Sequence, residues 1–90
     1  MSWTNSYSLE QTGAFLRQVR KERGLTQEQF ARKLGVSHAT LSALENGEGV
    51  SAATLERAWQ LLDLRLVIVP KNAQVHVDER GQEGWSSYDW

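Results

Sequence analysis

Apolar residues recur at helical spacing in four segments of the chain, and a hydroxyl residue precedes each segment. A side-chain oxygen at that position can accept a hydrogen bond from an amide of the first helical turn. The candidate N-caps are Ser8, Thr26, Ser37 and Ser51. The residues predicted to face inward are Phe15, Leu16, Val19, Phe30, Ala31, Leu34, Leu41, Leu44, Leu55, Ala58, Trp59 and Leu62. The pattern predicts a small all-α domain.

The stretch from residue 25 to residue 46 predicts two short helices joined by a tight turn. Gln29 can complete a capping box with Thr26, and Gly35 occupies the place of a left-handed C-cap. Once Leu41 and Leu44 point inward, the second helix keeps a small, polar outer face. A helix of about ten residues with such a face fits the major groove of DNA.

These two helices resemble the helix-turn-helix of the phage-repressor (Cro/C1, or XRE) family. The resemblance rests on Thr-Gln, Phe-Ala, Leu-Gly-Val-Ser and Leu-Ser-x-Leu-Glu-Asn-Gly, and it spans residues 13 to 62. The chain is also similar to the HipB-type antitoxins of this family, because a short β-like run and a polar tail ending in Trp follow the helices. The implied architecture is a four- to five-helix helix-turn-helix domain, a short β-strand that pairs between subunits, and a flexible tail.

The resemblance also implies which residues contact operator DNA. Gln27 corresponds to the phosphate-binding glutamine of the family, and Lys33 and Asn46 are further phosphate candidates. The residues expected to reach base edges are His38, Ala39, Thr40 and Ser42. The family often has glutamine where His38 and Ala39 stand. This chain therefore departs from the adenine-reading amide, and Ala39 is better suited to a thymine methyl group.

Arg20 can be interpreted in two ways, facing either DNA or the core. In phage-repressor domains the arginine at this place typically pairs with the glutamate that precedes Asn-Gly, which here is Glu45. We favour the structural role. A partly buried pair would set the register of the first helix against the third, and losing one partner would leave the other uncompensated.

The distribution of charge supports DNA binding better than the net charge does. Ten basic residues face eleven acidic residues, for a net charge of −1. Residues 17 to 33, however, hold six basic residues against two acidic residues, a local charge of +4. Such a block is often only a solvated helix face. Beside a helix-turn-helix, it indicates a surface that meets phosphates.

The remaining composition argues against several other classes of protein. There is no cysteine and there are only two histidines, so we expect neither a metal nor another cofactor. No phosphate-cradling glycine loop, carboxylate pair or nucleophile beside a base is evident, which argues against an enzyme with a small-molecule substrate. The chain lacks a signal-like or membrane-spanning apolar run, so we expect a cytoplasmic protein with no membrane partner.

Residues 65 to 70 predict a strand, because the run is rich in β-branched residues, is apolar on both faces and stops at Pro70. A strand needs a partner. It could pair with residues 74 to 77 in a hairpin, or with its own copy in a second subunit. We favour the homodimer, since a lone strand exposes its ladder and a symmetric operator requires a two-fold protein. The dimerisation residues would be Leu66, Val67, Ile68 and Val69.

Residues 71 to 90 have the polar composition of a flexible tail, following a DNA-binding domain at 1–64 and the strand at 65–70. The exceptions are three aromatic residues, Trp85, Tyr88 and Trp90. They could pack against the domain, but large aromatic side chains in a tail are typical of interface anchors. The antitoxin resemblance implies that they bind a HipA-like kinase toxin.

The leading hypothesis is a dimeric, sequence-specific DNA-binding antitoxin that represses its own operon and neutralises a HipA-like serine/threonine kinase. The first alternative is a stand-alone XRE-family repressor with no toxin partner. A second alternative is an adaptor that kept the fold and lost DNA binding. Salt-dependent binding to duplex DNA separates the adaptor from the other two, and co-purification with a kinase separates the antitoxin from the repressor.

Overall fold

The computed structural model describes residues 4–77 and 83–87. Within them lie four helices and two strands: α1 (Leu9–Glu22), α2 (Gln27–Leu34), α3 (His38–Glu45), α4 (Ala52–Leu61), β1 (Ala73–Val77) and β2 (Glu83–Ser87). Each predicted N-cap hydroxyl accepts a hydrogen bond from the amide three residues further on. The predicted fold class, a small all-α helix-turn-helix domain, is confirmed.

The turn between α2 and α3 is built by Gly35. Its φ of 78° is left-handed, a conformation that residues with a Cβ rarely adopt, and its amide donates to the carbonyls of Ala31 and Arg32. The next amide, that of Val36, also donates to Ala31, so the carbonyls of Ala31 and Arg32 in the last turn of α2 are satisfied. Ser37 then begins the cap of α3 immediately. Two helices can thus pack against each other across a very short connection.

The core forms where the apolar faces of all four helices meet. Its buried residues are Leu16, Val19, Phe30, Ala31, Leu34, Leu41, Leu44, Ala58 and Leu62. Partly buried side chains close it at the edges, among them Phe15, Leu55 and Trp59. These are the positions that helical periodicity predicted.

Gly13 lets α1 lie directly on the end of α3. A Cβ at this position would lie 2.7 Å from the carbonyl oxygen of Glu45 and closer still to that of Leu44. A glycine inside a helix costs about 1 kcal/mol relative to alanine, and the close approach of the two backbones explains why it is used here. This contact also places α1 beside the loop that follows α3.

The structure differs from the sequence prediction after α4. Residues 65–70 form no strand within the chain, and neither do they pair with residues 74–77. Instead β1 pairs antiparallel with β2, with Val75 opposite Trp85, inside the segment predicted as a flexible tail. The physical reason is that a strand needs a hydrogen-bonded neighbour. Residues 65–70 have no neighbouring strand within the described chain, whereas residues 73–77 form backbone hydrogen bonds with residues 83–87. Pairing of residues 65–70 between two subunits stays a prediction.

Among the described residues, no helix combines the length and the apolar character needed to cross a membrane.

Candidate DNA-binding surface

The residues predicted to read bases lie in the first five positions of α3. His38 and Ala39 are exposed, while Thr40 and Ser42 are half-buried. Leu41 is fully buried beneath them and anchors the helix in the core. The structure therefore brings the four candidates together on one short helix whose first turn is the most accessible part.

Thr40 is partly committed to the cap of its own helix. Its amide donates to Ser37 Oγ at 3.0 Å, and Ser37 Oγ donates to Thr40 Oγ1 at the same distance. The Thr40 hydroxyl can still donate one hydrogen bond outward. Any hydrogen bond from Thr40 to a base would therefore be more restricted in geometry than one from Ser42, whose side chain makes no such bond within the described residues.

Arg20 and Glu45, expected to form a pair, do so in the core. Arg20 Nε donates to Glu45 Oε2 at 2.6 Å, and Nη2 donates to Oε1 at 3.2 Å. The side chains are only 5% and 2% exposed. Arg20 Nη1 also donates to the Leu25 carbonyl at 2.7 Å, so the guanidinium joins α1, the end of α3 and the loop before α2. This geometry assigns Arg20 to the structure of the domain rather than to a phosphate.

Gln27, the predicted phosphate-binding residue, bridges the buried pair and the recognition helix. Its Nε2 donates to Glu45 Oε1 at 2.8 Å, and its Oε1 lies 2.6 Å from His38 Nε2. Sequence reasoning missed this link. The only signal was that a glutamine and a histidine each stand in the first turn of adjacent helices. The Gln27 amide keeps a second N–H, so a phosphate contact is compatible with both bonds.

Several basic residues of the block at residues 17–33 are already engaged in ion pairs, so fewer of them are available to phosphates than the sequence suggests. Arg20 is buried against Glu45, Arg23 pairs with Asp63 at 3.1 Å, and Arg32 pairs with Glu28 at 3.4 Å. Lys33 is exposed at the end of α2 and makes no ion pair within the described residues. The other two cations of the block, Arg17 and Lys21, are exposed on α1. Of the two cations on α2, Lys33 is thus the better placed to meet a phosphate from the helix-turn-helix.

Asn46 is the C-cap of α3 and is exposed. The backbone N–H of Asn46 donates to the Ser42 carbonyl and closes the last turn of α3. The side-chain amide of Asn46 therefore remains available to solvent. It borders an open groove of about 550 Å³ between α1 and the end of α3, which is lined by both acidic and basic residues. The mixed charge of this groove does not favour an anion.

The predicted dimerisation and toxin-binding residues lie beyond the helices. Leu66, Val67 and Ile68 are 57%, 41% and 87% exposed, and Val69 is partly buried. Tyr88 and Trp90 lie outside the described residues. Trp85 is described only as a member of β2. Within the described part of the chain, no group of three acidic, histidine or cysteine residues is arranged to hold a metal ion.

The fold and this surface define a helix-turn-helix protein. The family model described as "Helix-turn-helix" matches residues 16–64, from the core of α1 to the residue that follows α4 and its turn. The chain therefore belongs to the helix-turn-helix family of the XRE type.

The most informative similarities within this family are to HipB proteins. The chain is 32% identical to Antitoxin HipB of Escherichia coli O6:H1 over 87 residues, covering 94% of this chain and 93% of that protein. A complex of a HipB variant with an O2 20mer matches 78% of this chain and 99% of that chain, with a TM-score of 0.69 at 30% identity. A HipA–HipB–O2–O3 complex matches 77% of this chain and 99% of that chain, with a TM-score of 0.68 at 28% identity.

Proposed function

We propose that this protein is a dimeric antitoxin that binds operator DNA, represses its own operon, and binds and neutralises a HipA-like serine/threonine kinase. It acts in the cytoplasm, uses no cofactor and catalyses no reaction. The observation that carries the proposal is the extent of the similarity to Antitoxin HipB. It covers 94% of the chain and so runs past the helix-turn-helix at residues 16–64.

The DNA-binding part rests on the exposed first turn of α3. His38 and Ala39 project at the start of a helix that is short enough to lie in a major groove, and Leu41 and Leu44 hold its other face in the core. We assign base reading to the predicted set His38, Ala39, Thr40 and Ser42. We assign phosphate contacts to Gln27, Lys33 and Asn46. The solved complex of a HipB variant with an O2 20mer supports DNA binding by a chain of this fold.

The dimer rests on an apolar segment that the chain leaves uncovered. Ile68 is 87% exposed and Leu66 is 57% exposed, in an extended run with no ladder partner within the described residues. Burying one such side chain contributes about 1.5–3 kcal/mol, so several pairs can stabilise a subunit contact. Pairing of residues 65–70 with the same residues of a second copy would cover the side chains and satisfy the backbone together.

The toxin-binding part rests on similarity rather than on contacts. HipB occurs with HipA in a complex that matches 77% of this chain. A stand-alone repressor requires no similarity beyond the DNA-binding domain, whereas an antitoxin does. The extended match therefore favours the antitoxin over the repressor. We retain the assignment of toxin binding to Trp85, Tyr88 and Trp90.

DNA binding is tested by titrating the full chain into a labelled duplex taken from upstream of its own gene, with a scrambled duplex of equal composition as the control. The upstream duplex should bind more tightly, and both affinities should fall as salt rises, because phosphate contacts release counterions. Equal affinity for the two duplexes at every salt concentration would refute sequence-specific repression.

Toxin binding is tested by deleting residues 88 to 90 and by a matched pair of single variants, Trp90→Ser and Asp89→Asn. Trp90→Ser and the deletion should weaken binding to a HipA-like kinase recovered with the full chain from its own cells, because an indole carries most of the contact area of a short tail. Asp89→Asn should have a smaller effect, and operator affinity should not change. Unaltered kinase binding by the truncated chain would move the toxin contacts to the helical domain.

A further inference from the structure

Four polar side chains form one continuous chain of hydrogen bonds from the core to the recognition helix. Arg20 holds Glu45 through two bonds, at 2.6 Å and 3.2 Å. Gln27 Nε2 donates to Glu45 Oε1 at 2.8 Å, and His38 Nε2 lies 2.6 Å from Gln27 Oε1. The buried end of this chain is an ion pair, and its other end is the first residue of α3.

The donors and acceptors along this chain can be assigned from the buried end. An ionised carboxylate only accepts, so the atom of Gln27 that faces Glu45 must be the amide nitrogen. Rotating the amide by half a turn would place its oxygen against a carboxylate oxygen at 2.8 Å, a contact between two acceptors. The Gln27 oxygen therefore faces His38. Because that oxygen also only accepts, His38 Nε2 must carry the hydrogen.

This assignment determines what His38 can offer outward. A neutral imidazole has one N–H and one acceptor nitrogen, so a hydrogen on Nε2 leaves Nδ1 as an acceptor. His38 Nδ1 has no hydrogen-bond partner within the described residues, and the side chain is exposed. In the major groove only the exocyclic amino groups, adenine N6 and cytosine N4, are hydrogen-bond donors. Guanine presents N7 and O6 and thymine presents O4, all of which accept.

We propose that Gln27 is a positioning residue that holds His38 in the Nε2–H tautomer, and that His38 Nδ1 thereby reads the amino group of an adenine or a cytosine. The base-reading part rests on the proposed function, since it requires α3 to lie in the major groove. The tautomer part does not depend on DNA. Gln27 would thus serve in base readout in addition to any phosphate contact, because the Gln27–Glu45 bond transmits the geometry of the core to the reading residue.

The tautomer is tested in the full chain without DNA, by two-bond proton–nitrogen correlation spectra of the histidine rings at about pH 8, above the ordinary titration range of histidine. The only other histidine is His76, and its replacement in His76→Gln leaves a single set of ring signals. His38 should show a protonated Nε2 and an unprotonated Nδ1. Gln27→Leu should convert this into a mixture, whereas the matched control Gln60→Leu, an exposed site on α4, should not.

A predominant Nδ1–H form in the otherwise unchanged chain would overturn the proposal, as would an unchanged tautomer in Gln27→Leu. Circular dichroism on Gln27→Leu excludes a loss of folding as the cause of any change. These outcomes concern the hydrogen-bond chain alone, so they are distinguishable from a failure of DNA binding.

Base reading is tested with a panel of upstream duplexes in which each position carries each of the four base pairs. The position at which His38→Ala loses discrimination is the one that His38 reads. There the unmodified protein should favour one base pair by about tenfold over the others, the scale of one good contact to a base. Every Watson–Crick pair carries one amino group in the major groove, adenine N6 or cytosine N4, so base analogues are needed to identify the group that His38 contacts. Gln27→Leu should reduce this preference at the same position.

Base analogues separate the two sources of the amino group. The adenine analogue 2-aminopurine carries its amino group in the minor groove, and the cytosine analogue 2-pyrimidinone has none, so either replacement removes the amino group from the major groove at the position in question. Loss of the preference with one analogue identifies the base. A preference that depends on His38 but survives removal of the amino group from the base pair would overturn the proposal. A protein that binds no duplex would overturn both base reading and the proposed repressor function, while the tautomer result would stand separately.

Discussion

Removing the charge of Arg20 should destabilise the domain strongly, because Glu45 would stay buried without a counter-charge. The Glu45 carboxylate accepts two bonds from Arg20 and one from Gln27, and its side chain is only 2% exposed. Arg20→Met keeps much of the volume but leaves only the bond from Gln27. Breaking a buried pair typically costs about 3–5 kcal/mol, and the surviving bond places this case near the lower end.

A loss of about 3 kcal/mol is large for a chain of this size. A total stability of about 5–13 kcal/mol is typical at this length, and each kcal/mol shifts the Tm by about 4–8 °C. The Tm of Arg20→Met should therefore fall by at least about 12 °C. The measurement is thermal and urea unfolding followed by circular dichroism. Protein concentration must be equal throughout, because the stability of a dimer depends on it.

The matched control is Arg32→Met, which removes an arginine from an exposed pair. Arg32 and Glu28 lie 3.4 Å apart with side chains that are 78% and 79% exposed, so the change should cost no more than about 0.5 kcal/mol. In the double variant with Arg20→Met and Glu45→Leu, no buried charge remains, and much of the loss should be recovered. A double variant less stable than Arg20→Met alone, or equal losses for Arg20→Met and Arg32→Met, would refute the reasoning.

The other predictions concern packing, DNA contacts and assembly. Gly13→Ala should lower the free energy of unfolding by about 1–3 kcal/mol or more, because the added Cβ would lie 2.7 Å from the Glu45 carbonyl oxygen. Urea unfolding measures this loss, and an unchanged midpoint would contradict the close approach of the two backbones. Lys33→Ala should weaken binding to upstream and scrambled duplexes alike, whereas Ser42→Ala should lose about 1–3 kcal/mol of discrimination at one base pair; equal losses on both duplexes for Ser42→Ala would remove it from the base-reading set. Val67→Pro should split the dimer in analytical ultracentrifugation, because proline cannot donate to a ladder; a variant that stays dimeric would place the interface on the helices instead.

The DNA-contact candidates show how far sequence reasoning extends. Lys33 could be placed on the exposed face of α2, and Ser42 could be placed outside the buried stripe of α3, because a helix with a known buried stripe has a known outer face. Gln27 was correctly placed at the start of α2, but its partners could not be predicted. Side-chain bonds between helices depend on how the helices cross, and a local pattern carries no information about that crossing.

The sequence by itself determined the helices, their caps and the core. Ser8, Thr26, Ser37 and Ser51 mark the helix starts, and the left-handed glycine at Gly35 marks the turn, because caps and turns depend on residues close together in the chain. The Arg20–Glu45 pair was reached through the family resemblance rather than through spacing. Its geometry, with two bonds between side chains that are 5% and 2% exposed, was supplied by the structure.

The tertiary structure alone decided two features. One is the hydrogen-bond chain that ends at His38, since it joins residues on three helices. The other is the pairing of β1 with β2 rather than a strand at 65–70 within the chain. Which strands pair depends on residues distant in sequence, and a run rich in β-branched residues predicts only that a partner strand is needed. The composition of residues 65–70 predicted that need, and only the packed chain could show that 73–77 and 83–87 pair with each other.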